Sequence, residues 1–309
     1  MTDQVSERIG FVGLGNMGWP MARQLVRAGY DLTVVDAVAG RSTGFASTVG
    51  GVAADSLAAV AADVDVVVTM LPSSADVLSV LGPAQAALPP GAIVVEMSSG
   101  VPSSTRLLAD QLAVLGVSLI DCPVSGGVAK AQRGELTIMA GGDPSSIQRV
   151  EPLLSAMGSA TYRCGPVGSG HAMKALNNLV SATGLLVSIE ALLLGQEAGL
   201  DPPLMVEVLN ASTGMNHSTK SKLNQFILSG RHNSGFGLDL MIKDLGIAVG
   251  VGSETGIATP LGGLVHQMWM SAGALLGPGC DHTEISQFCE RLAGRPLART
   301  VLDSHGHSE

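Results

Sequence analysis

The sequence predicts an α/β plus all-α architecture: an N-terminal doubly wound, mostly parallel sheet, then a C-terminal helical domain entered by one long interdomain helix. Three observations carry this. Short apolar runs alternate with amphipathic stretches through the first half, the mark of βαβ units. A glycine-rich turn joins the first such run to the first helix. After Gly165-Pro166-Val167-Gly168 the strand signals fade.

Arg8–Val12 reads as the first strand, Met17–Ala28 as the first helix, and Leu32–Val35 as the second strand, ending at Asp36. Val64–Met70 is almost wholly apolar, as a strand is when both faces of a parallel sheet are covered. Ala92–Glu96 follows, then a helix from Pro102 to Leu115. Val117–Asp121 and Leu136–Ala140 add strands, and Pro144–Met157 a helix. Ala172–Ala198 reads as one helix, too apolar all round for a surface position and expected to be buried on most faces. Further helices fall near Pro203–Asn210, Ser218–Leu228, Leu238–Thr255, Pro260–Ala274 and Thr283–Leu292. The boundary is placed at residue 166, giving domains 1–166 and 167–309, in line with about 150 residues per domain.

Composition narrows the function. Hydrophobic residues are 46% of 309, enough for a sizeable core and against disorder. Seventeen basic residues face 26 acidic ones, net −9. That balance argues against nucleic acid as a partner, since phosphate neutralisation needs clustered Lys and Arg, and against an anionic membrane. Charged residues are only 14%, against a usual ~25%. Two explanations stand: a buried subunit interface, or a surface rich in Ala, Gly and Ser. Cys122, Cys164, Cys280 and Cys289 form no CxxC pair, so free thiols in a reducing cytoplasm are expected. Met1–Arg8 is polar without a signal pattern. No apolar run reaches the ~18 residues of a membrane span once Gly, Ser and charges are counted. The tail Ser304–Glu309 reads as disordered.

The turn is Gly13-Leu14-Gly15-Asn16-Met17-Gly18, a GxGxxG between a strand and a helix in the first βαβ unit. The first glycine permits the tight turn, the second lets backbone approach a pyrophosphate, and the third lets helix and strand pack closely. The helix N-terminus then offers free N–H groups to the phosphates. Asp36 lies 18 residues beyond Gly18, where a carboxylate binds both ribose hydroxyls and repels a 2′-phosphate. NAD is therefore the expected cofactor. Arg41, if it folds back, would pair with a 2′-phosphate and admit NADP.

Two further stretches suggest chemistry. Asp121-Cys122-Pro123-Val124-Ser125-Gly126-Gly127 follows a strand, and a Ser-Gly-Gly turn offers a hydroxyl and bare N–H groups to a carboxylate. Gly168-Ser169-Gly170-His171-Ala172-Met173-Lys174-Ala175-Leu176-Asn177-Asn178 opens the long helix, with Lys174 and Asn178 four apart on one face. Burial and a helix N-terminus both lower a lysine pKa from ~10.4, which suits a general acid/base near neutral pH.

These motifs resemble the β-hydroxyacid dehydrogenase family, whose members include 3-hydroxyisobutyrate dehydrogenase and tartronate semialdehyde reductase. The resemblance runs from Ile9 to about Leu297. It rests on residues 10–18 with Pro20 and Met21, Met70-Leu71-Pro72, Glu96-Met97-Ser98-Ser99, and Asp121 to Gly127. In the helical part it rests on Gly168 to Asn178, Gly235-Phe236 and Lys243-Asp244-Leu245. It implies a Rossmann domain, a helical domain, and a homodimer or homotetramer built through the helical part. Lys174 matches the family's catalytic lysine and Asn178 the asparagine that helps hold substrate. Ser125, Gly126 and Gly127 match the turn that grips the substrate carboxylate. Lys243 matches a lysine that reaches the cofactor; Leu71, Pro72 and Ser99 match residues lining the cofactor site. The chain departs from the commoner pattern at Cys122 (often Ala), Glu96 (usually Asp) and Asp76 (often a cofactor-contacting Asn).

The reading is thus an NAD-dependent oxidoreductase that oxidises a small 3-hydroxy acid, or reduces the matching semialdehyde, with Lys174 as general acid/base. Candidate substrates are 3-hydroxyisobutyrate, glycerate or tartronate semialdehyde, 4-hydroxybutyrate with succinic semialdehyde, L-threonate and β-hydroxy amino acids. An imine reductase on the same architecture is the nearest rival, and those enzymes usually carry Asp or Tyr where Lys174 stands. A nucleotide-binding protein without catalysis is disfavoured by intact Lys174, Asn178 and Ser125. His171, His217, His232, His266 and His282 form no HxxH or HExxH and read as ordinary helix or loop residues; no metal is expected. Lys220 and Lys222 read as a solvated helix face, the other reading being that the loop Ser212–Ser218 touches the distal end of the substrate and a lysine meets a second anionic group there.

Overall fold

The structure, a computed structural model, describes residues 7–299. The tail Ser304–Glu309, with His305 and His307, and most of the polar stretch Met1–Arg8 lie outside the described residues.

The β-branched runs become a nine-stranded sheet. Its strands are β1 (Ile9–Val12), β2 (Leu32–Val35), β3 (Val52–Ala53), β4 (Val66–Thr69), β5 (Ile93–Glu96), β6 (Ser118–Asp121), β7 (Val124–Ser125), β8 (Leu136–Gly141) and β9 (Gly158–Gly165). The order is β3-β2-β1-β4-β5-β6-β8-β7, with β9 on β8. Strands β3 through β6 are parallel, and β8 runs antiparallel to β6 and β7. The 3-2-1-4-5-6 core is the doubly wound order with its switch point beside β1, where ligands bind at the carboxyl ends of strands. Six helices lie between the strands: α1 (Gly18–Arg27), α2 (Arg41–Thr48), α3 (Ser74–Ala84), α4 (Pro102–Val114), α5 (Gly127–Arg133) and α6 (Pro144–Met157).

The apolar runs face two cores at once. Val66, Val68, Ile93 and Val95 join one cluster with Phe11, Met21 and Leu25, while Val67 and Val94 join another with Leu81, Leu108 and Leu112. Alternate residues of a strand point to opposite faces, so both faces are covered. Register also aligns the carboxyl ends. Val35, Val12, Thr69, Glu96 and Asp121 are successive partners across β2, β1, β4, β5 and β6.

Strand β9 lacks an apolar signature because Tyr162 and its neighbours lie on an exposed sheet edge.

One compact unit runs through Lys174 and a second begins at Ala175. The long helix α7 (Ser169–Glu197) therefore starts within the sheet unit. The second unit holds its remainder with α8 (Pro202–Ala211), α9 (His217–Ser221), α10 (Leu238–Thr255), α11 (Pro260–Leu276) and α12 (Ile285–Ala293). Its core gathers Leu185, Ile189, Leu192, Leu245, Trp269 and Phe288. The helix expected over Ser218–Leu228 is broken: α9 gives way to a π-helical turn at Leu223–Leu228.

Helix α7 corrects two expectations. It is long and apolar enough to cross a membrane by length and composition, although half of its most apolar stretch is buried, as in a core helix. It also leaves one face open. Met173, Leu176, Val180, Val187 and Leu194, spaced three, four and seven apart, form one exposed stripe, with Leu194 74% exposed. Lys222, expected on a solvated face, is buried, its Nζ donating to Ser181 Oγ at 3.2 Å.

Candidate functional site

The glycine-rich turn leaves β1 at Val12. Gly13 has φ +97°, and a Cβ there would stand 2.2 Å from the Met70 carbonyl oxygen. A Cβ on Gly18 would stand 1.8 Å from the Gly13 carbonyl oxygen, whereas one on Gly15 would meet nothing within 4 Å. The first and third positions are thus closed by the protein itself, and the second faces open space. No side chain caps α1; in its first turn the Trp19 amide donates to the Gly15 carbonyl oxygen at 3.0 Å, the Met21 amide to that of Met17 at 3.2 Å, and Pro20 has no N–H. A groove of about 420 Å³ opens beside the turn, lined by Gly15, Asn16, Trp19, Arg23, Arg41 and Gln132 among others. Open space at Gly15 fits the close approach of a dinucleotide pyrophosphate.

Asp36, just past β2, is drawn into the same turn. Its Oδ2 accepts the Leu14 amide at 2.6 Å and its Oδ1 the Val38 amide at 2.8 Å. Arg41 does fold back: its Nη1 lies 3.1 Å from Asp36 Oδ1, and the carboxylate side chain is 6% exposed. A carboxylate and a guanidinium therefore sit side by side at the end of β2.

Leu71, Pro72 and Ser99 follow the carboxyl ends of β4 and β5. The Leu71 amide donates to Ser98 Oγ at 2.9 Å, which ties the two loops together. Asp76 faces inward on its own helix, its Oδ2 accepting from Ser73 Oγ at 2.6 Å. Ser125 of β7 pairs with Thr137 of β8, and Gly126 and Gly127, both with positive φ, turn the chain into α5.

Lys174 is 8% exposed in the second turn of α7. Asn178, one turn on, donates from Nδ2 to Asp244 Oδ2 at 2.6 Å. Lys243 Nζ lies 3.3 Å from Asp244 Oδ1. Asp244 thus joins two predicted residues, Asn178 and Lys243, from α7 and α10. Sequence reasoning quoted Asp244 within a motif and gave it no role.

A second omission lies at the ends of β5 and β6. Glu96, Asp121 and His171 form a buried cluster, with His171 Nε2 2.7 Å from Glu96 Oε2. Burial alone would push the Glu96 carboxyl up; His171 and the Ser98 amide and hydroxyl hold it below its usual value. Burial pushes the Asp121 carboxyl up, against the pull of His171 and the amides of Gly168 and His171. It also drives the neighbouring Cys122 thiol well above its ordinary range. The signal for this cluster was the unusual Glu96 together with a histidine inside the Gly168–Asn178 motif. No group of three or more His, Cys, Asp or Glu able to hold a metal occurs among the described residues.

Comparison with known proteins agrees with this geometry. The family model for the NAD binding domain of 6-phosphogluconate dehydrogenase matches residues 8–165. The model for the NAD-binding domain of NADP-dependent 3-hydroxyisobutyrate dehydrogenase matches residues 168–289. The chain is 35% identical to 2-(hydroxymethyl)glutarate dehydrogenase of Eubacterium barkeri, over 94% of this chain and 97% of that one. It is 37% identical to the mitochondrial 3-hydroxyisobutyrate dehydrogenase of Rattus norvegicus, over 84% of this chain and 80% of that one. The solved Mycobacterium tuberculosis 3-hydroxyisobutyrate dehydrogenase with L-serine superposes with a TM-score of 0.84 at 30% identity, over 93% of this chain and 99% of that one. The chain, with its NAD-binding domain, belongs to the β-hydroxyacid dehydrogenase family of oxidoreductases.

Proposed function

We propose that this chain oxidises a 3-hydroxy acid of the type HO–CH₂–CH(X)–COO⁻ with NAD, or reduces the matching semialdehyde, NADP also being admitted. The three relatives point to this class together. 2-(Hydroxymethyl)glutarate, 3-hydroxyisobutyrate and L-serine share a carboxylate and a primary alcohol on the next carbon but one, and differ only in X. Residues 1–166 are the nucleotide-binding part and 167–309 the substrate and subunit-contact part.

The single observation that carries the reading is Lys174, a nearly buried lysine in the second turn of a helix that itself starts within the nucleotide-binding unit. The bound dinucleotide supplies the acceptor for the hydrogen and electron pair of the alcohol carbon. Neutral Lys174 takes the hydroxyl proton at its Nζ during oxidation and returns it to the carbonyl oxygen during reduction. Ser125 Oγ and the amides of Gly126 and Gly127 hold the carboxylate. Asn178, oriented by Asp244, holds the substrate oxygen beside Lys174. Lys243, steadied by the same carboxylate, is assigned to the cofactor by its match to the family's lysine. Gly13 to Gly18 would cradle the pyrophosphate and Asp36 the ribose, and Leu71, Pro72 and Ser99 would line the cofactor site. Holding the reactants in place accounts for much of the rate.

The exposed stripe from Met173 to Leu194 supports a homodimer or homotetramer, since a second copy would cover it. Four free cysteines fit a reducing cytoplasm.

The test is an absorbance screen at 340 nm with 3-hydroxyisobutyrate, L-serine and 2-(hydroxymethyl)glutarate, each with NAD and with NADP, beside Lys174→Ala. Turnover of at least one acid is expected, with a loss of at least ~10² in the variant and unchanged NADH binding. Near-normal turnover in Lys174→Ala would remove the lysine from the mechanism.

A further inference from the structure

Three chain segments meet where α7 begins. Glu96 closes β5, Asp121 closes β6, and the two are register partners. His171, in the first turn of α7, fills the space beside them. Its Nε2 is 2.7 Å from Glu96 Oε2, and its Nδ1 is 2.9 Å from Thr105 Oγ1 and 4.0 Å from Asp121 Oδ2. The three charged side chains are at most 3% exposed. Asp121 accepts the Gly168 and His171 amides at 2.7 and 2.8 Å, two of the donors a helix start leaves without an intrahelical partner. Clearance is small. A Cβ on Gly100 would stand 2.8 Å from His171 Cε1, and one on Gly170 would stand 2.2 Å from the Met139 carbonyl oxygen.

Thr105 Oγ1 also lies 3.1 Å from the Val101 carbonyl oxygen, so one buried chain of polar contacts runs from α4 through His171 to Glu96 at the end of β5. A buried ion pair adds little net stability over well-packed apolar side chains but enforces one arrangement. That asymmetry favours a positional role. Lys174 follows three residues later, on the same helical face.

We propose that His171, clamped between Glu96 and Thr105, is a positioning residue that sets the rotation of the first turns of α7 and thereby the place of Lys174 Nζ. The proposal rests on the reading of Lys174 as the group that exchanges a proton with the substrate oxygen. Its consequence is a rate effect, because a misplacement of about 1 Å costs on the order of 10²-fold. The groups facing His171 are Glu96 from β5, Asp121 from β6 and the uncharged Thr105 from α4. Arg106 of α4 lies beyond, against Gly168, and the Cys122 thiol lies next to Asp121 in the chain.

The experiment compares His171→Gln, Glu96→Gln, their double variant and Thr105→Val with the full-length wild-type chain, and with Lys174→Ala as reference. The readouts are kcat and KM for 3-hydroxyisobutyrate and L-serine across pH, NADH dissociation by fluorescence, and hydrogen exchange of amides 168–178. Each single variant should lose roughly tenfold or more in kcat, with NADH dissociation within about twofold of wild type and faster exchange confined to 168–178. Glu96→Gln removes a buried negative charge beside the start of α7 and should move the rising limb of the oxidation profile to lower pH. Thr105→Val, nearly isosteric, should lower kcat less and leave the profile in place; it stands in for His171→Gln should that variant not fold. Wild-type kcat in both His171→Gln and Thr105→Val overturns the proposal. So does a loss that comes with weakened NADH binding and an unmoved profile, which would make the cluster plain structural support. Turnover surviving in Lys174→Ala would instead refute the reading of Lys174, and exchange at 168–178 would still show whether His171 holds the turn.

Discussion

Alanine at Gly15 and alanine at Gly18 should act in opposite directions on folding. A Cβ on Gly18 would lie 1.8 Å from the Gly13 carbonyl oxygen, and the Gly13 carbonyl carbon would be 2.9 Å away. The obstacle is backbone at the end of a central strand, so the turn must open by more than an ångström. Overpacking of that kind costs about 3 kcal/mol or more, or roughly 10 °C in melting temperature for units of this size. At Gly15 nothing lies within 4 Å, and the residue is outside the left-handed region. Alanine there restricts the unfolded chain and should stabilise by about 0.4–1 kcal/mol. The same methyl would stand where the backbone meets a pyrophosphate, so NADH affinity should fall at least ~10-fold, or about 1.4 kcal/mol. Thermal melting without cofactor and an NADH fluorescence titration separate the two effects. Wild-type affinity in Gly15→Ala would place the pyrophosphate elsewhere, and a melting loss like that of Gly18→Ala would refute the open-space argument.

Two further outcomes follow from the electrostatics. Asp36→Ala removes the ribose carboxylate and releases Arg41, so kcat/KM with NAD should fall about tenfold or more while that with NADP rises; Arg41→Ala should lower the NADP value and spare NAD. An unchanged NAD-to-NADP ratio in both variants would take the pair out of cofactor choice. The helical unit should lose stability in acid. Burial pushes the His282 imidazole below its ordinary value. Burial opposes the Asp281 carboxylate, but hydrogen bonds from His282, Thr283 and Ser234 hold it well below its own. Both folded values are lowered, so the unfolded chain binds more protons. The stabilisation is complete above roughly pH 6.5 and fades as pH falls, through His282 first and then Asp281 below roughly pH 4. A urea midpoint for the second unit that is flat from pH 7.5 to 4 would contradict this.

The sheet was legible because its strands are buried on both faces and so read as unbroken apolar runs, with Val66–Thr69 the clearest case. The glycine turn was legible because backbone closes its first and third positions, Gly13 and Gly18, to any side chain, while Gly15 stands in open space. The edge strand Gly158–Gly165 was not, since an exposed edge leaves no apolar period to read. Nor were the partners of His171 and Asn178. Glu96, Thr105 and Asp121 lie 50 or more residues before His171, and Asp244 lies 66 residues after Asn178. Local pattern carries no information about such pairs. The apolar character of α7 was read correctly, but composition alone does not say whether the chain itself covers a face, and here it leaves one open.

The placement of Lys174 shows why these missing partners matter. It is the sole Lys or Arg between Ser169 and Glu197, and it stands near the N-terminal end of the helix, where the helix dipole disfavours a cation. A helix selected for stability alone would carry an acid there, and the first turn of α7 has none. The acid comes instead from the sheet: Asp121 caps the first amides from β6, and Glu96 meets His171 from β5. The favourable negative charge at the helix start is thus supplied from outside, and the helix keeps its own side chains for the site. A local rule broken at one residue and compensated by distant ones is the pattern expected of a functional position. It sets Lys174 apart from the solvated Lys130 and Lys220.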